Sequence, residues 1–318
     1  MKGVFEPVIF YILYFQNQSN FKSFSSLGMS AELKYTQLKY ADTAQVRVPV
    51  TRGMSFKDKD YNPVKWTRPN CLDIEKLPAW ADHPDVKRVL QAVWDERTQN
   101  GRFPLEFNAE GVPLNPDGPT GLAGRGLYGE WGPNKSVDAL ITRNAVDASG
   151  KLRLNLNGKP LMEYIGIDRA DNGKGGESSL AIPGGMAKKM LKDGCVIPEN
   201  TFMTAWREFN EETGTLSEDA ESLENPADVL QEAFKEAFDL FEGKVNNDPR
   251  ETDNAWGFTL VKHIADKKGV FSKVPLLATK ESKDSKWTVY DPDQPGKYFA
   301  DHGKYIHMGY MRIYSEYL

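Results

Sequence analysis

Cysteine is scarce in this chain: only Cys71 and Cys195 occur, more than a hundred residues apart. Two thiols so far apart suggest neither a disulfide framework nor zinc-ligand spacing, and they suit a reducing compartment. Histidine is equally sparse. His83, His263, His302 and His307 are scattered, and no pair has the His-x-x-x-His spacing of a zinc helix. Basic excess is missing too: 40 Lys and Arg stand against 45 Asp and Glu, for a net charge of −5. That balance argues against a nucleic-acid partner. The apolar stretch at residues 4–15 is too short to cross a bilayer and is broken by Glu6 and Pro7. No membrane span is expected. The first 30 residues hold Lys2 and Lys22 but no arginine, a poor match to a mitochondrial presequence. The expected location is cytoplasmic or mitochondrial, and residues 1–39 are expected to be a poorly ordered tail.

What is present is a mixture of strand and helix signals without a regular alternation, which predicts an α+β fold. Residues 40–70 read as irregular and extended. Residues 84–97 read as a helix with Val86, Val89, Leu90 and Val93 on one face. Residues 111–134 are rich in glycine and proline and read as one long loop, whose Leu122, Leu127, Tyr128 and Trp131 argue against disorder. Strands are expected near 139–142, 161–167 and 180–182, the last ending in a sharp turn at Pro183-Gly184-Gly185. Further strands are expected at 255–263 and 286–290, and helices at 227–241 and 302–315.

The most informative stretch is 207–214, Arg-Glu-Phe-Asn-Glu-Glu-Thr-Gly. A helix from about Thr201 to Glu212 would bury Phe202, Ala205, Trp206 and Phe209, with Asn200 or Thr201 as its cap and Gly214 as its left-handed end. Glu208, Glu211 and Glu212 then crowd onto one flank of that helix. Three like charges held together repel, and a hard divalent cation converts that liability into a site. Arg207, four residues before Glu211, is placed to hold it.

These residues resemble the Nudix box, the signature of hydrolases acting on nucleoside diphosphates linked to another group. The box runs Gly, five residues, Glu, seven residues, Arg-Glu-apolar-x-Glu-Glu-x-Gly-apolar. Gly185, Glu199 and Arg207 to Gly214 match it, and seven residues separate Glu199 from Arg207. The first gap departs from the pattern: thirteen residues, 186–198, stand between Gly185 and Glu199, eight more than the box has. Whether both ends still reach the helix is open from sequence. Beyond the box, Asn115-Pro116, Thr120-Gly121-Leu122, Gly124-Arg125-Gly126, Trp131 to Asn134, Ala181 to Met186 and Asp248 to Trp256 resemble the mitochondrial-type ADP-ribose diphosphatases within this family. They also resemble the domain that ends an ADP-ribose-gated cation channel of the melastatin type. The resemblance covers roughly residues 40–310.

The resemblance implies a Nudix fold, a mixed sheet between helices, with an N-terminal cap subdomain at 40–134 and the hydrolase domain at 135–318. It implies Mg²⁺-dependent hydrolysis of ADP-ribose to AMP and ribose 5-phosphate, with Mn²⁺ as a substitute. Glu208, Glu211 and Glu212, with the carbonyl of Gly185, are the expected metal ligands, and Arg207 the residue that orients Glu211. Asp248, Arg250, Asp253, Asn254, Arg125, Phe299, Asp301 and His302 are the expected substrate contacts. For each of these a structural reading stands beside the functional one. Two other functions remain open: a non-catalytic ADP-ribose sensor, and a Nudix hydrolase for another nucleoside diphosphate derivative.

Overall fold

The computed structural model describes residues 33–35, 38–41, 43–101, 104–169, 180–192, 195–215, 226–246 and 248–315. Most of the expected N-terminal tail lies outside the described residues. In the first third, β1 (Val64–Thr67), α1 (Gln91–Gly101), β2 (Glu106–Phe107), β3 (Pro113–Leu114) and β4 (Leu122–Gly126) are short. The central part holds β5 (Gly132–Asn144), β6 (Met162–Arg169), β7 (Leu180–Ala181), β8 (Gly184–Met186), β9 (Lys189–Lys192) and β10 (Cys195–Pro198). Then come α2 (Thr201–Thr213), α3 (Pro226–Lys235), β11 (Phe238–Lys244), β12 (Ala255–Ala265), β13 (Ser282–Tyr290) and α4 (His302–Ile313).

The main sheet has the order β11-β12-β5-β6-β13, and only β12 and β5 run parallel. It is mixed, and it forks. β5 pairs with β6 only over Thr142 to Asn144. Beyond that point β5 pairs with β8 at Ser136 to Asp138, and β6 pairs with β7 at Ile167 and Asp168. The segment 180–186 therefore lies between the prongs, which fixes Gly184 and Gly185 in the cleft.

Side chains alternate across the strands, so each face of the sheet has its own core. Val137, Ala139, Ile141 and Leu260 pack under α2 and α3, against Ala205, Phe209, Leu230 and Phe234. Leu140, Tyr164 and Val261 face the other way, against Tyr305, Ile306 and Tyr310 of α4. The α+β expectation is met, with helices on both faces.

Four local expectations are corrected. Residues 84–97 are not one helix: a single turn at Val86–Arg88 ends before α1 starts at Gln91, and Leu90 is exposed. The helix expected at 227–241 stops at Lys235; the next residues form β11, because Phe238 to Lys244 find an open edge on β12. Burial of Phe241 against the α4-side core replaces the helical periodicity. The glycine-rich loop contains β4 and the start of β5, both largely buried. The turn expected at Pro183-Gly184-Gly185 narrows to a bend at Pro183, after which Gly184 and Gly185 are strand residues without positive φ.

α2 follows its sequence closely. The Asn200 side chain accepts from the Met203 N–H, and Gly214 closes the helix at φ 63°. A Cβ at Gly214 would lie 3.0 Å from Leu277 Cβ, in a conformation other residues rarely adopt. Gly214→Ala is expected to destabilise the protein by about 1–2 kcal/mol. Urea denaturation of the two proteins measures it.

Candidate active site

Arg207 is the centre of the site. Its Nε donates to both oxygens of Glu199 at 3.1 and 3.2 Å, and one Nη reaches Glu199 Oε2 at 2.8 Å. The same Nη donates to the Met186 carbonyl at 2.9 Å. The other Nη bonds Glu208 Oε1 at 2.6 Å and Glu211 Oε2 at 2.8 Å. One guanidinium thus gathers three carboxylates and the strand that carries Gly185. Its five donors in a planar fork suit this; a lysine could not replace it.

The lengthened gap does not break this arrangement. Residues 189–192 and 195–198 pair as the two arms of an antiparallel hairpin, with Lys189 opposite Pro198 and Lys192 opposite Cys195. Its base is closed by the Glu199 N–H, which donates to the Lys188 carbonyl at 2.7 Å. The Lys188 N–H reaches back to Glu199 Oε2 at 3.3 Å. The extra residues are looped out, and Glu199 returns to Arg207 as if they were absent.

The three helix glutamates have different surroundings. Glu208 is buried, with its carboxylate where a Cβ on Gly185 would sit, 2.4 Å from Cδ. Only glycine fits there. Burial, opposed by Arg207, holds the Glu208 carboxyl above its ordinary range. Glu211 is about a third exposed. Burial raises it, but the hydrogen bonds from Lys188 (3.0 Å) and Arg207 outweigh that and lower it. Glu212 accepts the Gly184 N–H at 2.7 Å, and burial pushes its carboxyl up to about 8.

A fourth carboxylate, Glu281, joins Glu208 and Glu211: oxygens of these three lie within 4.8 Å of one another. Sequence reading missed it, since it lies some seventy residues beyond the box. It is brought there by a turn docked on the end of α2. The Leu277 N–H donates to the Thr213 carbonyl at 2.8 Å, and Ser282 Oγ donates to the Glu212 carbonyl. An all-oxygen set of this kind fits a hard divalent cation. The geometry therefore groups Glu208 and Glu211 with Glu281, while Glu212 is turned to the glycine strand.

Of the expected substrate contacts, Asp248, Arg250, Phe299 and His302 gather on the cleft. Asp248 is buried and held down to about 2: burial opposes, but Arg250 bonds it at 2.6, 2.9 and 3.2 Å, and Tyr128 donates to it at 2.9 Å. Arg250 lies 5.6 Å from the Phe299 ring centre. His302 Nδ1 accepts the Ile182 N–H at 3.0 Å, which requires the neutral ring. Burial first, then Arg169 and Arg250, depress it to about 3. Asp301 is buried and accepts from both nitrogens of Asn246.

The remaining three, Arg125, Asp253 and Asn254, bond neighbouring segments of the protein. Arg125 is fully buried, and its guanidinium donates to the carbonyls of Asp82, Gly129 and Cys71 at 2.5 to 2.7 Å. Asp253 accepts from Thr120 and from the Tyr61 hydroxyl at 2.6 Å. Asn254 bonds the Gly124 N–H and the Pro113 carbonyl. Asp253 and Asn254 tie the glycine-rich segment to the turn before β12, and Arg125 ties it to Cys71 and Asp82. Conversely, Arg169 and Asp138 were missed. Asp138 is buried between Gly184 and Thr259 and pushed up to about 6 by that burial. A lone Arg or Asp at a strand position gives no sequence signal.

The chain is similar to known proteins over most of its length. Residues 52–132 match the family described as NUDT9-like, N-terminal domain. The mitochondrial ADP-ribose pyrophosphatase of Rattus norvegicus is 33% identical over 265 residues, 80% of this chain and 69% of that protein. A Caenorhabditis elegans protein described as nudix hydrolase 6 is 32% identical over 252 residues, 77% of this chain and 82% of its own length. In Nematostella vectensis, transient receptor potential cation channel subfamily M member-like 2 is 31% identical over 242 residues, which are 72% of this chain but 14% of the channel. A solved MutT/nudix family protein from Enterococcus faecalis aligns over 57% of this chain and 62% of its own, with a TM-score of 0.35 and 19% identity. A mixed sheet with an arginine-centred carboxylate helix defines the class: an α+β hydrolase fold of the Nudix kind. The chain belongs to the Nudix hydrolase family, whose members generally use a divalent metal. Among the described residues no helix is long and apolar enough to cross a membrane.

Two outcomes are expected. Replacing residues 189–198 with Asn-Gly restores the five-residue gap through a two-residue hairpin turn. Turnover of that protein should stay within about threefold of wild type; a loss on the order of 100-fold, the scale of removing a catalytic group, would show that the hairpin itself serves the site. The second concerns pH. An unfolded histidine binds a proton near 6.5, and folded His302 only near 3. Its contribution is complete above pH 6.5 and lost as pH falls through that window. By pH 5 the loss amounts to roughly 2 kcal/mol. Urea denaturation at pH 7.5 and 5 should show wild type losing that much more than His302→Gln.

Proposed function

We propose that this chain hydrolyses the diphosphate of ADP-ribose to AMP and ribose 5-phosphate, using Mg²⁺, with Mn²⁺ as a substitute. The observation that carries this reading is the complete Arg207 cluster. Glu199, Glu208 and Glu211 all reach one guanidinium, despite the lengthened gap. The rat relative whose name states the activity supports the choice of substrate.

The residues present fit a divalent cation. Glu208, Glu211 and Glu281 would hold it, with Gly185 leaving the room that Glu208 needs. Glu212, released from the Gly184 N–H, is the further carboxylate the helix offers. When bound, the cation neutralises diphosphate charge and lowers the pKa of an attacking water. The protein's own part is preorganisation. Arg207 keeps the carboxylates in place before substrate arrives, so no reorganisation is needed during reaction. Arg250, fixed by Asp248, and the Phe299 ring provide a cationic and an aromatic wall for the nucleotide.

We read residues 40–134 as a cap subdomain and 135–318 as the hydrolase domain, supported by the family match at 52–132. The rat relative's name favours a mitochondrial over a cytoplasmic location.

The sensor alternative requires a cation site too weak for turnover. Incubation with ADP-ribose and Mg²⁺ should release AMP, while Glu211→Gln and Glu208→Gln should lose on the order of 100-fold or more in kcat. Circular dichroism spectra should stay unchanged. Tight binding of ADP-ribose that stays intact would favour the sensor. A panel of dinucleotides and sugar nucleotides, ranked by kcat/KM, tests the substrate itself.

A further inference from the structure

One basic side chain at the cleft has no part in the reaction as described. Arg169 ends β6, is half-buried, and places its guanidinium carbon 4.5 Å from the centre of the Phe299 ring. Arg250 approaches the same ring at 5.6 Å. Two guanidiniums therefore meet at one aromatic ring. A cation–π contact contributes about 0.5–1 kcal/mol at such a site, a weak return for assembling two like charges. The two are also unequal. Asp248 takes Nε and one Nη of Arg250. No ion pair joins Arg169 to a carboxylate among the described residues.

The ring between them is held firmly. The Phe299 N–H donates to the Leu180 carbonyl at 2.9 Å, on the strand that leads into Gly184 and Gly185. Ala300, the next residue, has φ 43°, in the left-handed region that a residue with a Cβ rarely adopts. Strain of this kind persists where surrounding structure imposes it, often at ligand sites. Arg169 also acts on the acidic side of the cleft: its charge favours the ionised forms of Glu212 and Asp138. It thus stands between the carboxylate helix and the Arg250 wall.

We propose that Arg169 is a substrate-binding residue that grips the diphosphate jointly with Arg250, their spacing set by the Phe299 ring, and that this pair selects diphosphate-linked substrates. A diphosphate diester carries two negative charges on adjacent phosphorus atoms. Two forked guanidiniums match that charge and offer each phosphate two parallel hydrogen bonds. This deepens the reading above and rests on it, since it takes the substrate to be a nucleoside diphosphate derivative.

The test is binding without turnover. Calorimetry in EDTA compares wild type, Arg169→Gln and Arg169→Lys with ADP-ribose, UDP-glucose, NADH and adenosine. Arg169→Gln should bind ADP-ribose about tenfold or more weakly, with adenosine binding and melting temperature unchanged; Arg169→Lys should recover part of the loss. With Mg²⁺, KM should rise while kcat stays within about threefold, the pattern of lost uniform binding. ADP-ribose affinity within about twofold of wild type in Arg169→Gln would overturn the proposal. So would an equal loss for adenosine, which marks a structural role. Should wild type bind UDP-glucose or NADH through Arg169 but not ADP-ribose, the substrate reading falls and the role of Arg169 stands. Should it bind no diphosphate at all, both fall.

Discussion

Everything at this site depends on one guanidinium surrounded by carboxylates. Arg207 holds Glu199, Glu208 and Glu211 together with the Met186 carbonyl, so a single side chain links helix, glycine strand and hairpin base. Without it, three anions in a half-buried cleft would repel one another and lose their solvation. With it, they are fixed at short distances before any cation or substrate arrives. The same contact makes the length of the chain between strand and helix unimportant, provided that its two ends meet. The Lys188–Glu199 hydrogen bond brings them together.

The forked sheet explains why the cleft exists. Where β5 and β6 part, their backbone groups need other partners, and β7 and β8 supply them. This places two glycines edge-on to α2, one against Asp138 and one against Glu208, where a Cβ would clash with either carboxylate. Backbone pairing and side-chain chemistry thus demand the same residues. On the other side, buried Arg47 and Arg125 bind carbonyls from several segments and Lys244 bridges Asp117 and Glu251, so polar clamps as well as packing hold the glycine-rich segment. Such groups are costly to bury unless their donors are used, and Arg125 uses both Nη groups but leaves its Nε without a partner.

Local signals were read correctly where one residue's preference settles the conformation. The Gly214 end and the apolar stripe through Ala205 and Phe209 came directly from the sequence of α2, and its cap was narrowed to Asn200 or Thr201, of which the structure uses Asn200. The helix expected at 227–241 failed for the opposite reason. Phe234 and Phe238 fit one helical face, but the edge of β12 offered Phe238 onward a ladder that periodicity could not reveal. The substrate contacts divide in the same way. Asp248 and Arg250 are two residues apart and pair locally, whereas Asp253, Asn254 and Arg125 have partners more than forty or a hundred residues away.

The carboxylate helix, its glycine end, the arginine that serves it and the family resemblance are all written in the order of the residues. These follow from residues within one or two helical turns of each other, where spacing alone dictates geometry. Folding in three dimensions adds the hairpin of the extra residues, the approach of Glu281 to Glu208 and Glu211, the turn of Glu212 to Gly184, and the meeting of Arg169 and Arg250 at Phe299. Each of these joins segments distant in the chain. Their meeting depends on how strands pair and faces pack over the whole sheet, and no local pattern records it.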